Sequence, residues 1–470
     1  MTQRVQSSRT FNLFKLFKEA ITGVEQEYTS GSINRAIFML SVPMILEMAM
    51  ESLFAVVDVF FVSKLGVDAV ATVGLTESML TLIYSIAMGL GMGATAIVAR
   101  RVGEKNPDGA AHSGMQAIYV GLFFSIIISL VGIFFAKDLL LLMGAETRVA
   151  ENNYRYTQLL MGGNIVIMML FLINGVFRGA GDATIAMRSL WIANALNIVL
   201  CPILINGWGP IPAYGLTGAA MATTIGRGSG VIYQVYHLFK GKGMIKILRR
   251  HIGIDMPIIV NIIKIASGGT AQFLIASASW VFLVRILSSF GSDALAGYTI
   301  GIRVIVFAIL PAWGMANAAA TLVGQNLGAK KPDRAEQSVW KTARYNMIFL
   351  VTIAIIFFTC AEWIIKLFTH EPAVVENGVH CLRLVSLGYA FYGYGMVVSQ
   401  SFNGAGDTKT PTIINLFGFW AFQIPLAYVL AKVVNWGPSG VYAAISIAES
   451  AIAIVAILIF RRGKWKTIQV

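Results

Sequence analysis

Charge is scarce in this chain. Asp, Glu, Lys and Arg make up 13% of its 470 residues, about half the roughly 25% of an ordinary soluble domain. That shortage excludes a soluble globular fold. Cysteine is scarcer still, with only Cys201, Cys360 and Cys381. The number is odd, the three lie in or beside apolar runs, and no pair has metal-ligand spacing. A disulfide framework and a metal site are therefore not expected. The five histidines, His112, His237, His251, His370 and His380, never form HExxH. An intramembrane enzyme would need such a motif or a paired nucleophile and base, so neither an enzyme nor a bound cofactor is expected. Alternating ten-residue segments are also missing, which excludes a β-barrel.

What is present is apolar and long. Hydrophobic residues make up 57% of the chain and the mean hydropathy is +0.72. The 46 glycines suit helices that approach closely in a bilayer. The fold class is all-α and polytopic. Twelve apolar segments fall at 36–63, 69–99, 112–136, 153–177, 185–206, 213–239, 257–287, 294–324, 340–362, 380–402, 411–433 and 439–460. Several exceed the roughly 20 residues a spanning helix needs, so tilts or kinks are predicted. Pro43, Pro202, Pro311 and Pro425 lie inside spans as bend points.

The net charge of +13 would suggest nucleic acid in a soluble protein. Here the cations follow topology instead. With the N-terminus inside, 26 Lys and Arg fall in inside segments, Arg178 and Arg227 among them, and seven fall outside. This positive-inside bias puts both termini in the cytoplasm. No nucleic-acid partner is expected. Within residues 1–35, Phe11, Phe14, Phe17 and Ile21 recur at helical spacing around Lys15 and Lys18. They suggest an interfacial helix on membrane lipid, with a flexible tail as the alternative, and not a signal peptide. The basic run Lys240–Arg250 fixes topology and could also meet anionic lipid.

An internal repeat divides the chain. FRGAGD at 177–182 returns as FNGAGD at 402–407, an offset of 225. The same offset carries Gly66 and Asp68 onto Gly291 and Asp293, and Gly103 and Lys105 onto Gly328 and Lys330. The predicted units are a segment 1–35, an N-lobe 36–239, a linker 240–256, a C-lobe 257–460 and a tail 461–470. Six spans in each lobe give a parallel repeat about an axis along the membrane normal.

The first span, Ser41–Lys64, breaks that symmetry. It holds Glu47, Glu51 and Asp58 at i, i+4 and i+11, within roughly 40° on one helix face. Acids inside a membrane read first as an ion or proton site, with a set of buried structural hydrogen bonders as the alternative. At the matching C-lobe positions stand Gln272, Ala276 and Leu283, so coupling is expected in the N-lobe, where the three acids should titrate as a unit. Glu449, Arg285 and Arg303 are the other in-span charges considered, with a structural Glu–Arg pair expected in the C-lobe. Trp280, Tyr298 and Trp313 are candidates to line a cavity.

VVDVFFVSKLG at the end of the first span, FRGAGD with FNGAGD, LVGQNLGAKKPDRA at 322–335 and GLTGAAMATT at 215–224 together resemble the multidrug and toxic compound extrusion (MATE) family across all twelve spans. The resemblance implies two six-helix lobes in a V and export of toxic, often cationic drugs by antiport with H⁺ or Na⁺. It implies that Asp58 is the coupling carboxylate and that Asn197 and Thr223 complete an N-lobe cation site. Asn174 would face the same cavity. A second family aspartate is replaced by Cys201, which cannot supply the oxygen that Na⁺ prefers. That favours H⁺ and leaves Na⁺ at Asp58 and Asn197 open. The C-lobe acidic site of one family branch is unmatched, with Gln272 at its first position. A monomer in a bacterial inner membrane is expected. The alternative is a lipid-linked oligosaccharide flippase of the same wider superfamily, which would want a strongly cationic cavity where this N-lobe reads as acidic.

Overall fold

The computed structural model describes residues 13–23, 28–241 and 243–470, apart from the side chains at 13, 55, 56, 58, 59 and 63. Arg4, Arg9, Phe11 and Lys242 lie outside the described residues. The N-terminal helix α1 (Leu13–Thr22) precedes a first lobe of α2 (Ile33–Val62), α3 (Val67–Gly103), α4 (Pro107–Leu142), α5 (Thr147–Gly162), α6 (Asn164–Ala180), α7 (Ala183–Asn206) and α8 (Gly215–Lys240). The second lobe is α9 (Met256–Ser288), α10 (Ser292–Gly328), α11 (Pro332–Lys366), α12 (Pro372–Ser386), α13 (Tyr389–Ala405), α14 (Lys409–Val433) and α15 (Pro438–Arg461). Taking α5 with α6 and α12 with α13 as single spans, each lobe crosses six times.

One break departs from the sequence reading, which draws 380–402 as continuous, whereas Thr147–Ala180 runs as one 34-residue span. α12 and α13 meet at 59°. Gly388 sits in that break, and a Cβ there would lie 2.9 Å from the Ser446 carbonyl. α14 is a second departure. Its stretches Leu416–Gln423 and Val429–Val433 are π-helical and flank Pro425, whose ring removes a backbone donor.

Starts and stops follow local chemistry. Asn106 caps α4 by accepting from the Gly109 amide at 2.8 Å, with Pro107 in the first turn. Asp255 caps α9 through the Ile258 amide at 3.3 Å. The repeated GAGD motif is a helix stop. Gly181 and Gly406 take left-handed φ of 87° and 90°. The Asp182 amide then returns to the Phe177 carbonyl, and the Asp407 amide to the Phe402 carbonyl, both at 2.9 Å. Upstream, Gly179 packs on the α3 backbone at Thr95, and Gly404 on the α10 backbone at Ala320.

Each lobe has its own apolar core, but the first helix of each leans on the second helix of the other. α2 packs on α10 and α9 on α3. Glycines make the crossings. A Cβ on Gly314 would lie 2.6 Å from the Met44 carbonyl, and one on Gly89 would meet the Ala266 carbonyl at the same distance. Past them, Gly103 abuts the Gln325 carbonyl and Gly328 the Arg100 carbonyl. The inter-lobe hydrogen bonds of the described residues gather at this end. They include Thr321 Oγ1 to the Arg178 carbonyl at 3.1 Å and Gln325 Nε2 to the Gly179 carbonyl at 3.0 Å. α3 is buried almost throughout Ala87–Arg100 and α10 throughout Met315–Gly328 save Asn317, whereas Glu77, Leu82, Arg303 and Phe307 are exposed in their other halves. The lobes therefore meet at one end and separate toward the other.

α1 lies along this closed end. Arg188 donates to the Ile21 and Thr22 carbonyls at 3.0 and 3.1 Å, satisfying its last turn. Leu16 and Ala20 face inward, while Phe14 and Phe17 are exposed.

Gly103→Ala and Gly328→Ala place a methyl against a backbone carbonyl that has no rotamer to yield. Each should cost about 1–3 kcal/mol, read as a lower midpoint in thermal unfolding of the detergent-purified protein. Unchanged midpoints would rule out so close a seam.

Candidate functional site

α2 is apolar on most of its surface, so its acids must find partners inside the lobe. Glu47 is completely buried. Its Oε1 accepts from Asn174 Nδ2 at 3.0 Å and from Arg178 Nη1 at 2.9 Å, both on α6. Asn174 Oδ1 in turn accepts from Ser189 Oγ on α7 at 3.2 Å and from Gln234 Nε2 on α8 at 2.5 Å. Four helices are thus tied through one amide side chain.

One turn along α2, Glu51 Oε1 accepts from Arg227 Nη2 on α8 at 2.8 Å. The Arg227 side chain is 1% exposed and that of Glu51 18%. The guanidinium lies 4.2 Å from the centroid of Phe54, with Tyr84 and Phe171 at 5.8 Å. Rings carry this cation where water does not. Between the two acids, Asn194 Nδ2 donates to the Met50 carbonyl at 3.0 Å, and deeper in the lobe Asn197 Nδ2 donates to Thr223 Oγ1 at 3.3 Å. Glu47 Oε2, Glu51 Oε2 and Asn197 Oδ1 are buried acceptors with no donor among the described residues. The two carboxylate oxygens are able to take a proton, and all three oxygens are able to ligate a hard cation.

Asp58 follows in the same helix, and its side chain lies outside the described residues. Cys201 is fully buried in the N-lobe core. Gln272 makes a reciprocal amide pair with Asn403, at 3.0 and 3.2 Å, and also donates to the Thr408 carbonyl. Tyr298 is buried and stacks on Tyr442 with centroids 6.2 Å apart. Trp313 stacks on Phe273 at 5.6 Å, and Trp280 is half-buried on α9. The polar N-lobe residues fall into linked groups, Glu47 with Asn174, Arg178, Ser189 and Gln234, Glu51 with Arg227, and Asn197 with Thr223; the C-lobe residues occupy separate neighbourhoods.

Two readings are corrected here. The acidic stripe is not an uncompensated acidic cavity, because Arg178 and Arg227 match two of its carboxylates. Both arginines had been counted as inside-segment charges. Arg227 falls well inside the predicted span 213–239, and that position was the available signal, since an in-span arginine needs a partner. The expected Glu–Arg pair in the C-lobe is also absent among the described residues. Glu449 lies beside Tyr392, Arg303 is within electrostatic reach of Glu77 on the other lobe, and Arg285 lines a groove at the end of α9.

The MatE family model matches residues 43–203 and 270–429, one segment in each lobe. The chain is 24% identical over 451 residues to the probable multidrug resistance protein YoeA of Bacillus subtilis, covering 95% of this chain and 97% of that one. It is similar, at 26% identity and a TM-score of 0.88, to a structure described as the outward-facing conformation of a multidrug resistance MATE family transporter of the MOP superfamily, covering 94% and 98% of the two chains. A third likeness, at 26% identity and a TM-score of 0.86 with coverage of 94% and 98%, is to a MOP superfamily transporter from Pyrococcus furiosus, described as having a binding pocket of reverse polarity that suggests a different function.

Arg227→Leu strands the Glu51 carboxylate and should cost about 3–5 kcal/mol, much of it recovered when Glu51→Gln is added. A double-mutant cycle on unfolding in detergent measures this, and strictly additive losses would show that the pair is not coupled.

Proposed function

This chain belongs to the MatE family, a family of membrane transporters and not of enzymes, and on that premise we propose that it is a secondary active multidrug exporter. It carries lipophilic, often cationic drugs outward in exchange for H⁺ or Na⁺. Coupling runs through Glu47, Glu51 and Asp58, with Asn197 and Thr223 beside them.

One observation supports this most directly: Arg178 joins the acid network to the lobe seam. Its side chain holds Glu47, and its own carbonyl accepts from Thr321 of the opposite lobe. A proton taken up by Glu47 weakens its hold on Arg178 and Asn174, and the loss is felt where the lobes meet. Pro43, about one turn away in α2, provides a bend point. Rocking of the lobes that opens the closed end as the other end shuts then alternates access, with the drug cavity between or within them. The positive-inside bias assigns that closed end to the cytoplasm, along with both termini, in a bacterial inner membrane and in a monomer.

The paired glutamates favour H⁺. A hard cation wants several oxygen ligands, and Glu47 and Glu51 each give one oxygen to an arginine. Na⁺ at Asp58 and Asn197 is the alternative. The name of the Bacillus relative supports drugs as substrates. The alternative, flipping of an anionic lipid-linked oligosaccharide, wants an excess of cations, whereas Arg178 and Arg227 are each matched by a glutamate.

Efflux of a cationic dye from cells lacking their own pumps decides between these, with a pH gradient or a Na⁺ gradient imposed. Wild type should export on the pH gradient alone. Asp58→Asn should abolish coupled export while the protein still folds and inserts. Export driven only by Na⁺ would overturn the choice of ion. Full export by Asp58→Asn would overturn the coupling role of Asp58. No dye movement under either gradient would favour the flippase.

A further inference from the structure

The outer ends of α9 and α14 enclose a groove of about 520 Å³. Its walls are apolar, with Phe282 and Ile286 from α9 and Pro425 and Val429 from α14. Two cations enter it, Arg285 and Lys432, and no carboxylate lines it. Arg285 has no ion-pair partner among the described residues. The Lys432 ammonium sits 4.1 Å from the centroid of Phe290. Ser289 Oγ is occupied, donating to the Ile286 carbonyl at 2.7 Å. Beside the groove, Phe282 packs edge-on to Trp420 at 5.3 Å, and both rings are partly exposed.

Three features define an occupant. Both cations lie in the last turn of a long apolar helix, α9 ending at Ser288 and α14 at Val433, which is headgroup level in a bilayer. The apolar walls continue inward from there, so a fatty chain can follow where a headgroup starts. The lack of a carboxylate leaves nothing to receive a choline or ammonium group, so the headgroup should be anionic. The groove is also private to the C-lobe. The internal repeat puts Phe60 opposite Arg285, and residues 199–214, which match the Lys432 region, contain no Lys or Arg. The widened π-helical turn Val429–Val433, which carries Lys432, is likewise without a counterpart in α7.

We propose that this groove is a binding site for an anionic phospholipid, with its phosphate between Arg285 and Lys432 and an acyl chain along the apolar walls. The site stands apart from the N-lobe network and does not depend on which solute is transported.

Native mass spectrometry of the delipidated full chain tests it, by titration with dioleoyl-phosphatidylglycerol and with dioleoyl-phosphatidylcholine. Wild type should bind the anionic lipid more tightly than the zwitterionic one. The double variant Arg285→Gln, Lys432→Gln should weaken phosphatidylglycerol binding by about 30-fold, the effect of two cations near a membrane surface. It should leave phosphatidylcholine binding unchanged, which also reports that the variant is folded. Arg285→Lys with Lys432→Arg should keep the preference. Equal binding of the two lipids by wild type, or an undiminished preference in the double variant, overturns the site. Displacement of the lipid by millimolar inorganic phosphate overturns the lipid as occupant and leaves a soluble anion site.

Discussion

A carboxylate with no water to solvate it must find a guanidinium or give up its charge, and in this chain that requirement falls on Glu47. Meeting it draws Arg178 inward from the last turn of α6 and fixes Asn174, Ser189 and Gln234 in sequence behind it. This one buried charge ties α2 to α6 and, through Asn174, to α7 and α8. It also reaches the seam, because the residue that satisfies Glu47 also presents its carbonyl to the other lobe. Breaking such a pair from one side costs several kcal/mol, so Glu47 and Arg178 hold each other in place.

The repeat makes the point by contrast. The offset of 225 carries Glu47 onto Gln272 and Arg178 onto Asn403, and those two are also in contact, as a reciprocal amide pair. The same scaffold contact is thus charged in one lobe and neutral in the other. An amide pair has no proton to gain or lose near neutral pH, so it holds its helices together whatever the gradient does. Only the N-lobe version of this contact carries a carboxylate and a guanidinium. The asymmetry lies in the side chains; the backbone geometry of α6 and α13 around GAGD is nearly superposable in its turn bonds and in the left-handed glycine.

Much of this was legible in the sequence. The twelve spans, the two lobes and the equivalence of the GAGD turns were readable because apolar length and a repeated motif are local signals. The matched left-handed φ of Lys105 and Lys330, 59° and 57°, shows how far the repeat reaches into backbone conformation. The bend at Gly388 is not legible in the sequence, since hydropathy runs through it unbroken and only packing against a neighbouring helix reveals it. The partners of Glu47 and Glu51 were missed for another reason. A helical periodicity gives the face on which a charge lies, never what it faces, and the arginines lie 131 and 176 residues away. Counting Arg227 with the loop cations treated an in-span charge as a topological one.

The distribution of cations separates three tasks that a bare count merges. Most of the 36 Lys and Arg sit at the closed end and orient the chain in its membrane. Arg178 and Arg227 are buried and neutralise specific acids. Arg285 and Lys432 do neither: they stand at the far end of the C-lobe, against the positive-inside bias, with apolar walls around them. A cation kept at an unfavourable address, with no protein acid to meet, needs a counter-charge from outside the chain. At headgroup depth, the anion in greatest supply is lipid phosphate. Holding a lipid there would fasten the ends of α9 and α14 together. α9 is also the helix that leans across onto α3, so an anchor at its outer end bears on the same seam that Glu47 reaches through Arg178.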